Sequence, residues 1–532
     1  MNVPAFLPAR RAHGSRDANV LDQALTRAAG TPLIAGNAVR LLKDAAQNYP
    51  AWIDAIRSAT RAIYFENYFI TDDEIGQEFS AALSAKAREG VDVRVVYDWM
   101  GAFGKASRGF WNRLRDSGVK VRCFNPPDLS SPLGWLHRDH RKSLVVDGRV
   151  GFVTGLCVGQ PWLGDPKRNI QPWRDTGVEV RGPALRDIER AFEQVWAAIG
   201  APMPDSEALS AAMDRGARDM SAIEARSPNL SSATSQAESA AATGSSIELP
   251  GDVSLRIVAN APGTAALLRL DQIVAGAARE TLWLTDAYFA GIPVYVQALR
   301  SAALDGVDVR LLVPGASDLP ILRPLTQAGY RPLLEAGVRV FEWKGTMLHA
   351  KTAVADGRWA RVGSSNLNIA SWIGNYELDA VIENEGFAAS MEQMFEEDIL
   401  NATEIVLRPS RWGRRRTVRP ETPRPTRPAL HYIGMGGRGG SASRAAAGAL
   451  RIGRTVSAAL SEQRVLAGTE GKTVAIAGVV LFLLAAAMVV WPRLIAIPIA
   501  ILCAWFAIAL LSKARVMRRE RRRPETADSD SS

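Results

Sequence analysis

The feature that most constrains this 532-residue chain is that part of it is written twice. "HRKSLVVDGRVGFVTG" at His140–Gly155 and "HAKTAVADGRWARVGS" at His349–Ser364 share His-x-Lys-x4-Asp-Gly inside an apolar frame. Upstream, "GVDVR" stands at Gly90–Arg94 and again at Gly306–Arg310, each time after an Ala-rich helical stretch. Before that, "RAIYFENYFI" from Arg61 has a looser counterpart in "ETLWLTDAYF" from Glu280. Three matches in one order, with an offset that drifts by only about ten residues, predict two copies of one folding unit.

Each copy reads as strand, helix, strand, helix, hairpin, helix. Asp147-Gly148 and Asp356-Gly357 are the two-residue turns of the hairpins. The expected fold class is therefore α/β, with two similar halves over 35–202 and 249–407 packed about a pseudo-twofold axis. Residues 1–34 read as an N-terminal extension and 203–248 as a Ser/Ala-rich linker. A basic Pro- and Gly-rich linker follows over 408–470, and its Ala/Gly-rich part, 434–471, suggests no role.

Near the C-terminus, Val474–Trp491 and Leu494–Leu511 are almost uninterrupted apolar runs separated by Pro492-Arg493. Each is near the lower length limit for a membrane-spanning helix, so 471–512 is expected to form a helical transmembrane hairpin. Both flanks are basic, including the tail over 513–532 before it turns acidic, which predicts that both ends and everything before them face the cytoplasm. The formal charge of +9 favours anionic partners such as phospholipid surfaces. Cys123, Cys157 and Cys503 have neither disulfide nor metal-ligand spacing, which fits a reducing compartment. The N-terminus lacks the apolar core of a cleaved signal peptide.

The chemistry lies in the repeated motif. His and Lys two residues apart on an extended segment share a face. If the halves pack about a twofold axis, His140, Lys142, His349 and Lys351 converge on one cleft. Two ammonium groups can hold and neutralise phosphate oxygens without a metal ion. One imidazole can attack phosphorus to form a phosphohistidine, and the other can move the proton of the leaving or entering alcohol. The attacking imidazole needs an acceptor on its far nitrogen to fix its tautomer. Asp147 and Asp356 carry two readings, turn former or third member of the reacting set, and stay in the catalytic set as candidates. His13, His137 and His431 have no such setting.

The doubled His-x-Lys-x4-Asp, followed after six residues by Gly-Gly/Ser-x-Asn, resembles the phospholipase D superfamily. The second copy is complete through Gly363, Ser364 and Asn366, whereas the first runs Thr154-Gly155-Leu156-Cys157, with cysteine in the asparagine position. The resemblance spans roughly residues 35–405, and "GVDVRVVYDWMG", "RDHRKSLVVDG" and "WRDTGVEVRGPAL" are similar to stretches of bacterial cardiolipin synthases. It implies His140 as nucleophile and His349 as general acid and base. It also implies that Asp175 and Glu377, 35 and 28 residues beyond His140 and His349, orient those imidazoles. Gly155, Ser364 and Asn366 would bind phosphate, with no metal and no cofactor.

The implied activity is phosphatidyl transfer to phosphatidylglycerol at the bacterial cytoplasmic membrane, giving cardiolipin, with phosphatidylethanolamine as a further donor. No nucleic acid partner is expected, and the sequence does not fix the oligomeric state. Many such synthases carry their spans at the N-terminus, whereas here they are C-terminal. Transfer to water, phosphodiesterase or nuclease activity, and a non-catalytic lipid-binding role remain open, because the motifs alone do not separate them.

Overall fold

The computed structural model describes residues 14–127, 137–203, 251–318, 326–327 and 329–407. Among the described residues no helix is long and apolar enough to cross a membrane. The expected hairpin over 471–512 lies outside them, as do its flanking linker and tail.

Helix α1 (Gly14–Ala29) precedes the first half. That half runs β1 (Ile34–Lys43), α2 (Asp44–Ser58), β2 (Ala62–Asn67), α3 (Glu74–Arg88), β3 (Asp92–Asp98) and the one-turn α4 (Trp99–Ala102). It continues with α5 (Arg108–Asp116), β4 (Lys120–Phe124), the hairpin β5 (Ser143–Val146) and β6 (Val150–Thr154), β7 (Thr176–Arg181) and α6 (Leu185–Ala198). The second half repeats the order with β8 (Val253–Asn260), α7 (Ala266–Ala277), β9 (Thr281–Thr285), α8 (Pro293–Leu304) and β10 (Asp308–Pro314). Then come α9 (Tyr330–Glu335), β11 (Arg339–Trp343), the hairpin β12 (Thr352–Ala355) and β13 (Trp359–Gly363), β14 (Glu377–Glu383), α10 (Glu385–Leu400) and β15 (Ala402–Ile405).

The strands form one sheet in the order β15-β11-β10-β9-β12-β13-β14-β8-β1-β7-β6-β5-β2-β3-β4. Read outward from the β8–β1 junction, both directions give the same seven strand types, and β15 is added at one edge. This is the duplication expected from the sequence, with three more strands per half than the periodic reading supplies. The extra pairs are β1 and β8, β4 and β11, and β7 and β14. β4 (KVRCF) and β11 (RVFEW) are five residues long and interrupted by charge, so they lack a clear apolar run.

The junction explains how the halves stack. β1 and β8 pair only near their starts, at Ile34–Leu255 and Asn37–Val253. Beyond that point the inner faces pack on each other, with Val145, Val153 and Val178 of the first half in one cluster with Val354, Val362 and Leu378 of the second. On the outer face of the first half, Leu144 and Phe152 join Trp52, Phe65 and Phe79. Both faces of β5 and β6 are thus covered, which is why these strands are apolar at nearly every position. Helix α1 packs Leu25 and Ala29 into the second half's core, and its Asp22 meets the buried Arg256 at 2.7 Å.

Candidate active site

His140 and Lys142 sit on the lead-in to β5, and His349 and Lys351 on the equivalent lead-in to β12. Each lead-in pairs with backbone of the opposite half. His140 N donates to Tyr376 O at 2.9 Å, and Tyr376 N donates to Arg138 O at 2.8 Å. By the same pattern His349 N donates to Arg174 O at 2.7 Å, and Arg174 N to Met347 O at 2.8 Å. The residues just beyond these bridges are Glu377 and Asp175, so each carboxylate is delivered to the other half's histidine.

The side chains follow the backbone. His140 Nδ1 lies 2.9 and 3.1 Å from the Glu377 carboxylate oxygens, and His349 Nδ1 lies 2.8 Å from Asp175 Oδ2. The expectation that each carboxylate serves the histidine of its own half is thus corrected. Both residues do hold an imidazole, but crosswise, because the axis that exchanges the halves sets each histidine beside the opposite copy. With the proton on Nδ1 facing the carboxylate, each Nε2 keeps its lone pair.

Burial works against the Asp175 carboxylate, yet the charge and hydrogen bond of His349, helped by Lys351 and Trp162 Nε1 at 2.9 Å, hold its pKa at about 2. Burial also opposes Glu377, which His140, Lys142 and the Ser364 hydroxyl keep below the ordinary carboxylate value. Both imidazoles are made harder to protonate, first by burial. His349 falls to about 4 with Lys351 adding to the effect, and His140 is lowered with Lys142 and Lys351 both repelling its proton. Each histidine therefore feels a lysine of the other half, as one shared cleft requires.

The lysines fold back beside their own histidines. Lys142 Nζ donates to His140 O at 2.6 Å, and Lys351 Nζ donates to His349 O and lies 2.8 Å from His349 Nδ1. Burial brings the Lys351 ammonium down to about 8, although Asp175 supports its charge. Tyr68 and Tyr288 wall the cleft, with Tyr68 edge-on to His140 at 5.0 Å and Tyr288 edge-on to His349 at 5.8 Å. Their rings also face Lys142 and Lys351, at 5.3 and 5.8 Å. Sequence reasoning missed both, although they occupy matching places in "FENYF" and "LTDAYF". It also missed Trp162.

Four expectations change. Asp147 and Asp356 belong to the hairpin turns at the far end of β5 and β12, at roughly 3.3 Å of rise per residue a distance of about 20 Å from the histidines. Their φ angles are +55° and +49°, the left-handed region that Asp tolerates in such turns. The Asp147 carboxylate accepts from Thr60 N, Thr60 Oγ1, Arg61 N and Ala62 N, and Asp356 accepts from the backbone of Arg279, Glu280 and Thr281. They clasp the start of β2 and β9 and do not reach the reacting centre.

Gly155 and Ser364, expected at phosphate, are each packed against a carboxylate. A Cβ at Gly155 would stand 2.2 Å from Asp175 Oδ1, so only glycine lets that carboxylate in. The Ser364 hydroxyl donates to Glu377 Oε2 and accepts from Leu378 N at 3.0 Å. Asn366 differs, because its side chain serves no carboxylate; its Nδ2 is the atom that can donate to a phosphate oxygen, while Oδ1 is buried without a hydrogen-bond partner among the described residues. Cys157, at the corresponding place in the first half, is buried, its thiol pushed up by burial, and its carbonyl accepts from Tyr49 Oη at 2.6 Å.

With this geometry in view, the comparisons are direct. The family described as "Cardiolipin synthase, PLD-like domain" matches residues 52–196 and 273–399, one segment in each half. A cardiolipin synthase of Halalkalibacterium halodurans is 31% identical over 386 residues, which cover 71% of this chain and 69% of that one. Cardiolipin synthase A of Pseudomonas fluorescens is 32% identical over 403 residues, covering 74% and 75%. A phosphatidylserine synthase of Haemophilus influenzae shares the fold at 17% identity, with a TM-score of 0.50 over 72% of this chain and 92% of its own. The chain belongs to the cardiolipin synthase, phospholipase D-like domain family.

Proposed function

We propose that this protein is a membrane-anchored phosphatidyltransferase that makes cardiolipin from phosphatidylglycerol through a phosphohistidine. The observation that carries the reading is the pair of His–Lys couples brought to one cleft, each imidazole held on Nδ1 by a buried carboxylate. The names of the relatives support the substrate class.

His140, the more open of the two histidines, attacks phosphorus with Nε2. The bond from phosphorus to the glycerol oxygen breaks as the N–P bond forms, and His349 delivers a proton to the departing glycerol. Lys142, Lys351 and Asn366 hold the non-bridging oxygens, whose charge near His349 favours its protonated form. The hydroxyl of a second phosphatidylglycerol then loses its proton to His349 and attacks phosphorus, and the N–P bond breaks. Asp175 and Glu377 fix the tautomers, Gly155 and Ser364 seat those carboxylates, and phosphatidylethanolamine is a further donor. The C-terminal apolar runs over 471–512 anchor the chain in the cytoplasmic membrane with the catalytic halves on the cytoplasmic side.

The test is lipid analysis after incubating the detergent-purified full chain with phosphatidylglycerol, with and without phosphatidylethanolamine. Cardiolipin and free glycerol are expected from the wild type, and neither from His140→Ala or His349→Ala. Phosphatidic acid as the sole product would make the enzyme a hydrolase. Labelled phosphate trapped on His349→Ala but not on His140→Ala would identify the nucleophile.

A further inference from the structure

Isolated apolar side chains on a protein surface are ordinary, and their grouping is what carries information. Five exposed ones, Phe103, Ile170, Val294, Ile369 and Ile373, all lie on connections at the histidine end of the strands. Phe103 follows α4 directly after β3, and Val294 opens α8 after β9. Ile170 lies between β6 and β7, and Ile369 and Ile373 between β13 and β14, the connections that carry Cys157 and Asn366.

Hydrogen bonds tie these connections into a rim. Asp72 N donates to Lys105 O at 2.9 Å, and the Lys105 ammonium lies 3.9 Å over Phe69, next to Tyr68. Ala290 N donates to Leu367 O at 3.2 Å, and Thr346 Oγ1 donates to Gln171 O at 3.1 Å. His137 Nδ1 lies 2.9 Å from Gly374 O, joining the segment before His140 to the segment after Ile373. Exposed Lys105, Lys167, Arg168 and Lys344 stand on the same rim, and none forms an ion pair with a described carboxylate.

We infer that this rim is an interfacial docking face for an anionic phospholipid bilayer. The apolar side chains enter the boundary between headgroups and acyl chains, and the cations meet anionic headgroups. The inference rests on the phosphatidyltransferase reading. With His349 5% exposed, a phosphodiester must rise into the cleft, and a mouth seated on the leaflet lets it do so while its acyl chains stay in lipid. Cationic and apolar side chains thus share the end where such a substrate would enter.

The experiment uses the full chain with Cys123 and Cys503 replaced by serine, reconstituted into vesicles containing phosphatidylglycerol. An environment-sensitive fluorophore is placed at Phe103→Cys, Ile369→Cys or, as control, at Leu304→Cys, which is 67% exposed at the opposite end of α8. A quencher carried on lipid acyl chains should quench the first two several-fold more than the third. Equal quenching at all three sites would overturn the inference. In parallel, the variant carrying Phe103→Ser, Ile369→Ser and Ile373→Ser should lose about tenfold or more of its turnover on long-chain phosphatidylglycerol in mixed micelles. Its turnover of dispersed short-chain phosphatidylglycerol should be unchanged, and a parallel fall on both substrates would also count against docking. If the wild type turned over neither lipid, the phosphatidyltransferase reading would fail, while the quenching result would still decide the docking face.

Discussion

Substitution of Asp147 separates the two readings of the motif's third residue. Four hydrogen bonds of 2.7 to 2.9 Å reach its carboxylate from Thr60, Arg61 and Ala62. Burial is the largest single influence and works against the ionised form, but the four bonds together outweigh it and hold the acid at about 2, against 3.8 for a free aspartate. That difference corresponds to about 2 kcal/mol, and because the group is largely in water about 1 kcal/mol survives screening. The folded acid is the stronger one, so the contribution is present above pH 3.8 and is lost as pH falls towards 2.

Asp147→Asn keeps an acceptor oxygen and a residue that tolerates the φ of +55°, so it should cost about 1 kcal/mol. Asp147→Ala loses every acceptor and adds left-handed strain, for a total of about 3 kcal/mol. In the coupled sandwich of both halves that is a fall in melting temperature of roughly 4 °C for alanine and 1–2 °C for asparagine. The assay pairs thermal melting in detergent with turnover of phosphatidylglycerol at a temperature where all forms stay folded. Turnover within about threefold of wild type is expected for both, since the nearest imidazole is about 20 Å away. A hundredfold loss for Asp147→Asn with an unchanged melting temperature would refute the clasp and return the residue to the chemistry.

In the proposed mechanism the Lys351 ammonium holds phosphate, and it is lost above about 8, so kcat/KM should fall on the alkaline side near that pH. Lys351→Arg, slower but always charged, should abolish that limb, and a limb still at 8 would exclude Lys351 as its source. Glu377 raises the proton affinity of His140, so Glu377→Gln should lower the His140 pKa further, as followed by NMR of labelled histidine. His349 should stay put in that variant and move in Asp175→Asn; the reverse pairing would undo the crossed arrangement. Asn366→Ala should lose about a hundredfold in kcat, the scale of removing one donor to a developing charge, while Cys157→Ala should stay within about threefold. Equal losses in the two would mean that both halves cradle phosphate alike.

What the sequence made legible, and what it did not, follows from what a repeat can encode. The duplicated His-x-Lys stretch and the Asp-Gly turns were readable because local spacing fixes them, and the observed sheet repeats the same strand types outward from its centre. Equivalence between copies, however, says nothing about which copies touch. Asp175 lies 35 residues beyond His140 along the chain, yet the Arg174–Leu348 bridge carries it to His349. Gly155 and Ser364 were expected to bind phosphate because the family resemblance implies it, whereas three-dimensional contact shows that a carboxylate fills the space beside them. Tyr68 and Tyr288 carry no spacing signal of their own and emerge only when the repeats are superposed residue by residue.

The crossing also bears on why the two copies stay on one chain. Separated, the first half would bury Asp175 without an imidazole and leave His140 without an acceptor on Nδ1, and the second would do the same with Glu377 and His349. A buried carboxylate stripped of its partner costs several kcal/mol, and a histidine free to change tautomer is a poor nucleophile. Folding stability and reactivity are therefore lost together when the halves part, which couples assembly of the sandwich to assembly of the site. Neither half is an enzyme awaiting a partner: each supplies one imidazole of the shared cleft and the carboxylate that holds the other imidazole.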